Sequence, residues 1–141
     1  MPESATPGNS PRIWLNALID LFYPRSCILT GDPLSTGDYR YIANWIVPRL
    51  PLIRDPRCPV CGHPFFGELE ENPVCHHCEK LNPVFDQGRC GYLLSRDTRI
   101  LLHSLKYRKR TYLAPDIARL LARAPGFMDF LEEAVIVPVP L

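Results

Sequence analysis

The sequence lacks any run of 18 or more apolar residues, so no segment is long and apolar enough to span a membrane as a helix. Its first twelve residues, MPESATPGNSPR, also lack the basic start and the apolar core of a secretory signal. The chain also lacks a strong excess of positive or negative charge, because its formal net charge is +1. Its overall charge therefore does not predict a polyanionic partner. We therefore expect a cytoplasmic protein in a reducing compartment, where six cysteines favour a metal site over a disulfide framework.

Proline and glycine, by contrast, are plentiful. The chain of 141 residues contains 16 prolines and 8 glycines, most of them in the first 90 residues, which predicts an N-terminal half rich in loops. Residues 1–11 have little to bury and are predicted to be a disordered tail. Residues 12–23 place their apolar side chains on one helical face, and Pro24 ends the predicted helix.

Two Cys-x2-Cys pairs form the strongest motif. Cys58-Pro-Val-Cys61 is followed, after thirteen residues, by Cys75-His-His-Cys78. Each pair lets one tight turn present two thiolates, and two such turns complete a tetrahedron of sulfurs about 2.3 Å from zinc. Gly62 tolerates the positive φ that the turn often needs. We predict one structural Zn²⁺ per chain, because four thiolates leave no open coordination position.

Other side chains near the motif could take part in metal binding. His63, His76 and His77 could replace a sulfur ligand or hydrogen-bond to one, but four cysteines already suffice, so solvated loop histidines are the simpler interpretation. Cys90 lies in a strand-like segment and is predicted to be a small core residue rather than a ligand or nucleophile.

Cys27 lies in what looks like a second copy of the motif. The segment CILTGDP at residues 27–33 resembles CPVCGHP at residues 58–64, and a Pro-Arg pair precedes each. Thr30 replaces the second cysteine, and threonine is not a usable zinc ligand, so this copy is predicted to bind no metal. The alternative is a chance similarity between two turns.

The C-terminal half changes character, and its predicted elements alternate as in a βαβ unit over residues 84–140. Thr98 is predicted as the N-cap of the first helix. Two strands alone do not make a complete sheet, so part of the sheet is expected to be missing. The elements are a strand over 84–94, helices over 98–107, 113–124 and 127–133, and a buried strand, parallel to the first, over 134–137.

Together these segments resemble the N-terminal part of the ComF family of competence proteins. The resemblance covers about residues 13–141 and rests on LFYPRSC (21–27), CPVCG (58–62), CHHC (75–78), FD (85–86), LHSLKYR (102–108) and VIVPVPL (135–141). It implies an α+β protein with a degenerate double zinc ribbon over residues 12–82, of which 56–82 is the intact ribbon. An incomplete α/β segment of phosphoribosyltransferase type follows over residues 83–141. The family is linked to DNA uptake and nucleotide metabolism.

The chain departs from the family in two ways. Only Cys27 remains of the first ribbon's cysteine pairs, and no Asp-Asp-x-x-Thr-Thr-Gly segment occurs, which in similar members binds phosphoribosyl pyrophosphate. We therefore assign no catalytic residue and expect no transferase activity from this chain alone. The missing half could lie on another chain or be absent, and a truncated relic is a further interpretation.

A basic cluster follows the first predicted helix of the C-terminal half and consists of Lys106, Arg108, Lys109 and Arg110. The resemblance implies that it contacts phosphate, while the simpler interpretation is a solvated helix end whose cations complement the helix dipole. With Tyr107 and Tyr112 interleaved, it could also contact single-stranded DNA, which the family resemblance, like the competence machinery, suggests as a partner. The alternative function is thus a non-catalytic module for nucleic-acid or protein interaction. Against nucleic acid stand the acidic ribbon residues Glu68, Glu70, Glu71 and Glu79.

Overall fold

The structure, a computed structural model, describes residues 24–34, 37–67, 71–132 and 134–137. The predicted tail and the predicted helix over residues 12–23 lie outside this part of the chain. Within it, no helix is long and apolar enough to cross a membrane. The α-helices are α1 (His76–Leu81), α2 (Arg96–Tyr107), α3 (Ala114–Ala122) and α4 (Phe127–Leu131), and two 3₁₀ helices cover Val47–Arg49 and Thr111–Leu113.

Helix α2 ends at Tyr107 as predicted, but it begins earlier than the apolar pattern indicated. Its N-cap is Ser95, not Thr98, so the predicted cap was wrong. The Thr98 N–H donates to Ser95 Oγ (3.4 Å) and the Ser95 N–H donates to Thr98 Oγ1 (2.7 Å), which is a capping box. Because the Thr98 hydroxyl donates in turn to the Leu93 carbonyl (2.8 Å), the cap also holds the preceding segment.

Helix α3 confirms the amphipathic pattern, since Leu120 is buried and the 3₁₀ turn before the helix buries Leu113. Sequence analysis gave no role to Asp116, which is only 1% exposed. Its carboxylate accepts hydrogen bonds from the backbone N–H groups of Arg40 (3.0 Å) and Tyr41 (2.7 Å). A buried carboxylate needs such donors, so Asp116 fastens α3 to an N-terminal loop.

The main hydrophobic core joins the N-terminal loops to the helices. Leu101 of α2 and Leu120 of α3 pack against apolar side chains from the loop region before residue 51. This core therefore contains residues from both sides of the domain boundary predicted at residue 82. The boundary itself stays a prediction. Its N-terminal members are Cys27, Tyr39, Ile42, Ala43, Ile46, Val47 and Leu50.

Strands are scarce, and the prediction of a βαβ unit was wrong for the described residues. The segment over 84–94 forms one isolated bridge, Leu52 with Tyr92, flanked by hydrogen bonds from Ile53 N–H to Gly91 O (3.0 Å) and from Leu93 N–H to Pro51 O (2.9 Å). The described fold is thus a small combination of short helices and loops, and its described residues contain no parallel strand pair of the kind that a phosphoribosyltransferase-type segment requires.

The prediction of a buried strand over residues 134–137 was wrong as well. Val135, Ile136 and Val137 are 86%, 79% and 77% exposed. A β-branched run is buried only where another strand or helix covers it, and the described residues provide no such cover. The short helix predicted just before it is confirmed as α4, which ends at Leu131.

Candidate metal centre

The first Cys-x2-Cys pair lies in a tight turn over residues 56–65, here called the metal knuckle. The Gly62 N–H donates to Cys58 O (2.9 Å) and the Cys58 N–H donates to His63 O (2.8 Å). Gly62 has φ +73, and a Cβ at this position would lie 3.0 Å from the Gly88 carbonyl oxygen. Both the left-handed conformation and the close backbone approach therefore require glycine here.

The second pair lies at the start of a helix. Cys75 is the N-cap of α1, and Cys78 is buried in its first turn. The Cys75 N–H donates to Cys58 Sγ (3.3 Å), so the helix start faces the metal knuckle. Free N–H groups and the positive end of the helix dipole both favour thiolates at this place.

The fold brings the four sulfurs together. The Sγ atoms of Cys58, Cys61, Cys75 and Cys78 all lie within 4.8 Å of one another, and Cys61 Sγ is 3.6 Å from Cys75 Sγ. A tetrahedron with metal–sulfur distances of 2.3 Å has edges of about 3.8 Å, so the arrangement suits one ion. The prediction that these cysteines can hold a metal ion is confirmed.

The electrostatics of the cluster favour a cation. Burial raises the pKa of the Cys58 thiol, but hydrogen bonds from the backbone of Cys61, Cys75 and Val60 outweigh it and lower that pKa to about 6. Burial and the neighbouring sulfurs raise the pKa of Cys61 and of Cys78. Because several thiolates in one small volume repel each other, a divalent cation at their centre relieves the cost of ionising them.

The histidines lie outside this cluster. His63, His76 and His77 are all exposed, with the His63 ring against Phe65 and His76 Nδ1 4.0 Å from a carboxylate oxygen of Glu79. None belongs to the group of ligand atoms that the four cysteines form. The simpler interpretation, solvated histidines beside a site of four cysteines, therefore fits the structure.

Cys90 corrects another prediction, because its side chain is exposed and not part of a core. The segment around it meets the metal knuckle through its backbone instead. The Gly88 N–H donates to Val60 O (2.6 Å), and a Cβ on Gly62 would lie 3.2 Å from Cys90 N. A main chain held this close leaves the Cys90 side chain in solvent.

Two members of the predicted basic cluster border different cavities. Lys106, Arg108 and Lys109 are exposed, and Arg110 is half-buried. Arg108 borders a cavity of about 160 Å³ that Arg99 and His103 also line. Arg110 lines a different cavity, so Arg108 and Arg110 belong to two separate surfaces.

The cavity beside Arg110 has a volume of about 440 Å³, and we call it the basic–aromatic cleft. The rings of Tyr41 and Tyr112 contact each other here, with centroids 4.5 Å apart and planes inclined by 54°. Arg40 adds a cation over the Tyr41 ring, 5.6 Å from its centroid. The residues that line the cleft are Pro24, Arg25, Ser26, Cys27, Ile28, Gly31, Tyr41, Arg110 and Tyr112.

Sequence analysis found only the C-terminal side of this cleft, Arg110 and Tyr112. Arg25 and Tyr41 lie far away along the chain: Arg25 precedes the second copy of the cysteine motif, and Tyr41 belongs to a loop without a recognised motif. The fold joins the two sides, partly because Asp116 binds the backbone at Tyr41. No local pattern signals such a contact.

Comparisons of the chain with family models, with curated proteins and with solved structures found no match. The resemblance to the ComF family therefore rests on the sequence motifs alone and stays a prediction.

Proposed function

We propose that this chain is a zinc-stabilised binding module of a ComF-type protein, and that its basic–aromatic cleft binds single-stranded nucleic acid. The observation that carries the proposal is the cleft itself. Its lining combines two arginines, Arg25 and Arg110, with the paired rings of Tyr41 and Tyr112. The proposal assigns no catalytic step to the described residues.

The metal is proposed to be zinc with a structural role. Four thiolates in a tetrahedral arrangement select soft or borderline ions, and zinc is the usual occupant of a mononuclear site of this kind. A closed sphere of four sulfurs leaves no position for a reacting water. Metal analysis of the purified chain tests this part, and the expected result is one zinc per chain. Iron in place of zinc, or no metal, would contradict it.

The chemistry of the cleft supports a ligand that carries both phosphate and a flat ring. Guanidinium groups donate paired hydrogen bonds to phosphate oxygens, and arginine remains charged at any physiological pH. Tyrosine rings stack on bases whatever the sequence, and each stacked base contributes about 1–3 kcal/mol. With a net charge of +1 the whole chain attracts nucleic acid weakly, so the binding must come from this local arrangement.

The test is fluorescence anisotropy with a labelled oligothymidylate at low and moderate salt. The double variant Arg25→Ala/Arg110→Ala should bind at least about tenfold more weakly, and its salt slope should fall by about 1.4, since each phosphate contact on a single strand contributes about 0.7. A control with the same charge change is Lys106→Ala/Lys109→Ala, since these cations lie outside the cleft lining. Equal loss in both variants, or no binding by the unchanged chain at low salt, would refute the proposal.

A second candidate is that the cleft holds the phosphate of a nucleotide-like substrate, as the resemblance to phosphoribosyltransferase-like proteins implies. Its support is the cleft volume of about 440 Å³, which lies within the range of small-molecule sites. Competition in the same assay separates the two functions. Displacement of the oligonucleotide by micromolar phosphoribosyl pyrophosphate favours the substrate site, while binding that resists millimolar competitor favours the nucleic-acid module.

A further inference from the structure

Two turns of this chain share one backbone structure. The N-terminal knuckle covers residues 25–34, and three of its backbone hydrogen bonds and its one bridge recur 31 residues later in the metal knuckle. The Cys27 N–H donates to Asp32 O (2.8 Å) as Cys58 N–H does to His63 O (2.8 Å). The Gly31 N–H donates to Cys27 O as the Gly62 N–H does to Cys58 O. The Leu34 N–H donates to Arg25 O as the Phe65 N–H does to Pro56 O. The bridge Ser26–Pro33 likewise corresponds to the bridge Arg57–Pro64.

The surroundings of the two buried sulfurs also correspond. Cys58 Sγ accepts from the Cys75 N–H at 3.3 Å, and Cys27 Sγ accepts from the Ala43 N–H at 3.4 Å. Ala43 therefore occupies the place of Cys75, and the equal spacing of three residues makes Ile46 the counterpart of Cys78.

What differs is the interior. In the first copy (residues 25–34 with 43–46) the positions of the metal ligands are held by Cys27, Thr30, Ala43 and Ile46. Cys27, Ala43 and Ile46 are 1%, 4% and 4% exposed and belong to the main hydrophobic core. Apolar side chains in contact need no cation between them, and their burial stabilises the turn directly.

We infer that the first copy is a ribbon whose metal has been replaced by a hydrophobic core, and that it keeps its structure when the second copy (residues 56–65 with 75–78) loses its metal. Zinc is thus required by one half of the doubled ribbon only. The N-terminal wall of the basic–aromatic cleft, with Cys27 and Gly31, belongs to the half that does not depend on metal.

Hydrogen exchange on the unchanged chain, with and without a strong chelator, tests this inference. After chelation the amides of Cys58, Gly62 and Phe65 should exchange at least about tenfold faster, because the second copy opens locally. The amides of the first copy, Cys27, Gly31 and Leu34, should change by less than about threefold. Equal loss of protection in both copies would overturn the inference.

Restoring the missing ligands gives a second test. The triple variant Thr30→Cys/Ala43→Cys/Ile46→Cys should raise bound zinc from one to two per chain and double the sulfur-to-cobalt absorption after cobalt substitution. A folded triple variant that still binds one ion would contradict the assigned correspondence. If the variant does not fold, the exchange comparison on the unchanged chain still decides the question.

Discussion

The two turns that we infer to be copies of one ribbon resemble each other in their backbone hydrogen bonds and differ in the side chains of their interiors. In the second copy four sulfurs lie within 4.8 Å of one another, and in the first copy Ala43 and Ile46 belong to a hydrophobic core. Both turns nevertheless share three backbone hydrogen bonds and a glycine with positive φ, Gly31 at +80 and Gly62 at +73. The comparison teaches that local turn chemistry specifies the knuckle, while either a cation or apolar packing can stabilise its interior.

The largest effect is expected from removing a metal ligand. Cys78→Ser should reduce bound zinc from near one per chain to near zero in the presence of a competing chelating dye. The second copy then loses metal-linked stabilisation on the order of 10 kcal/mol in apparent terms. The matched control is Cys27→Ser, which alters the corresponding half of the repeat and should leave zinc content unchanged. Zinc loss in the control would mean that Cys27 takes part in the site.

Acid should release the metal from the second copy. In the metal-free site the raised pKa values of Cys61 and Cys78 keep protons on both thiols at neutral pH, so metal binding must displace them and affinity rises with pH. The lowered pKa of Cys58 acts in the same sense, because the stability that its thiolate contributes is lost as the pH falls through about 6.

Zinc release followed with a chelating dye between pH 8 and pH 5, ordinary buffer conditions for such a site, measures this effect. The amides of the first copy should keep their protection over the same range, since no metal holds them. Retention of zinc at the acid end would count against a site made of four thiolates.

A cavity in the main core next to the first copy should destabilise the protein less than metal loss does, but still by a large amount. Ile42 is fully buried in the main core, so Ile42→Ala should lower the free energy of unfolding by about 2–5 kcal/mol. Denaturant unfolding measures the loss, and zinc content should stay at one per chain. A parallel loss of zinc would show that the two halves unfold as one unit.

The smallest effects, and the most direct comparison, come from the two corresponding glycines. Gly31→Ala forces a side chain into the left-handed region and should cost about 1–2 kcal/mol. Gly62→Ala carries the same strain, and its Cβ would also lie 3.0 Å from the Gly88 carbonyl oxygen, whereas a Cβ on Gly31 meets nothing within 4 Å. The thermal midpoint should therefore fall further for Gly62→Ala. Equal falls in the thermal midpoint for the two variants would mean that the backbone at Gly88 moves away from the new Cβ at little energetic cost.

Local patterns in the sequence predicted a good part of this molecule. The spacing of four cysteines identified the metal cluster, and helical periodicity located α2 and α3, because both signals depend on residues close together in the chain. The cap of α2 was misplaced by three residues because Ser95 and Thr98 are both good capping residues. The run over residues 134–137 was wrongly predicted to be a buried strand, because β-branched residues favour a strand but do not show whether another strand is there to pair with it.

The sequence by itself thus determined the four cysteines that can hold a metal ion, the similarity of the turn at Cys27 to the turn at Cys58, and the helices of the C-terminal half. Only the tertiary structure decided that the Ala43 N–H donates to the Cys27 sulfur as the Cys75 N–H does to the Cys58 sulfur, and that Arg25 and Tyr41 line one cleft with Arg110 and Tyr112. The physical reason is the distance along the chain between the residues that make each contact. A ligand pair or a helical face is specified within a few residues, whereas a core and a cleft arise from contacts such as Asp116 with Tyr41, which join segments 75 residues apart.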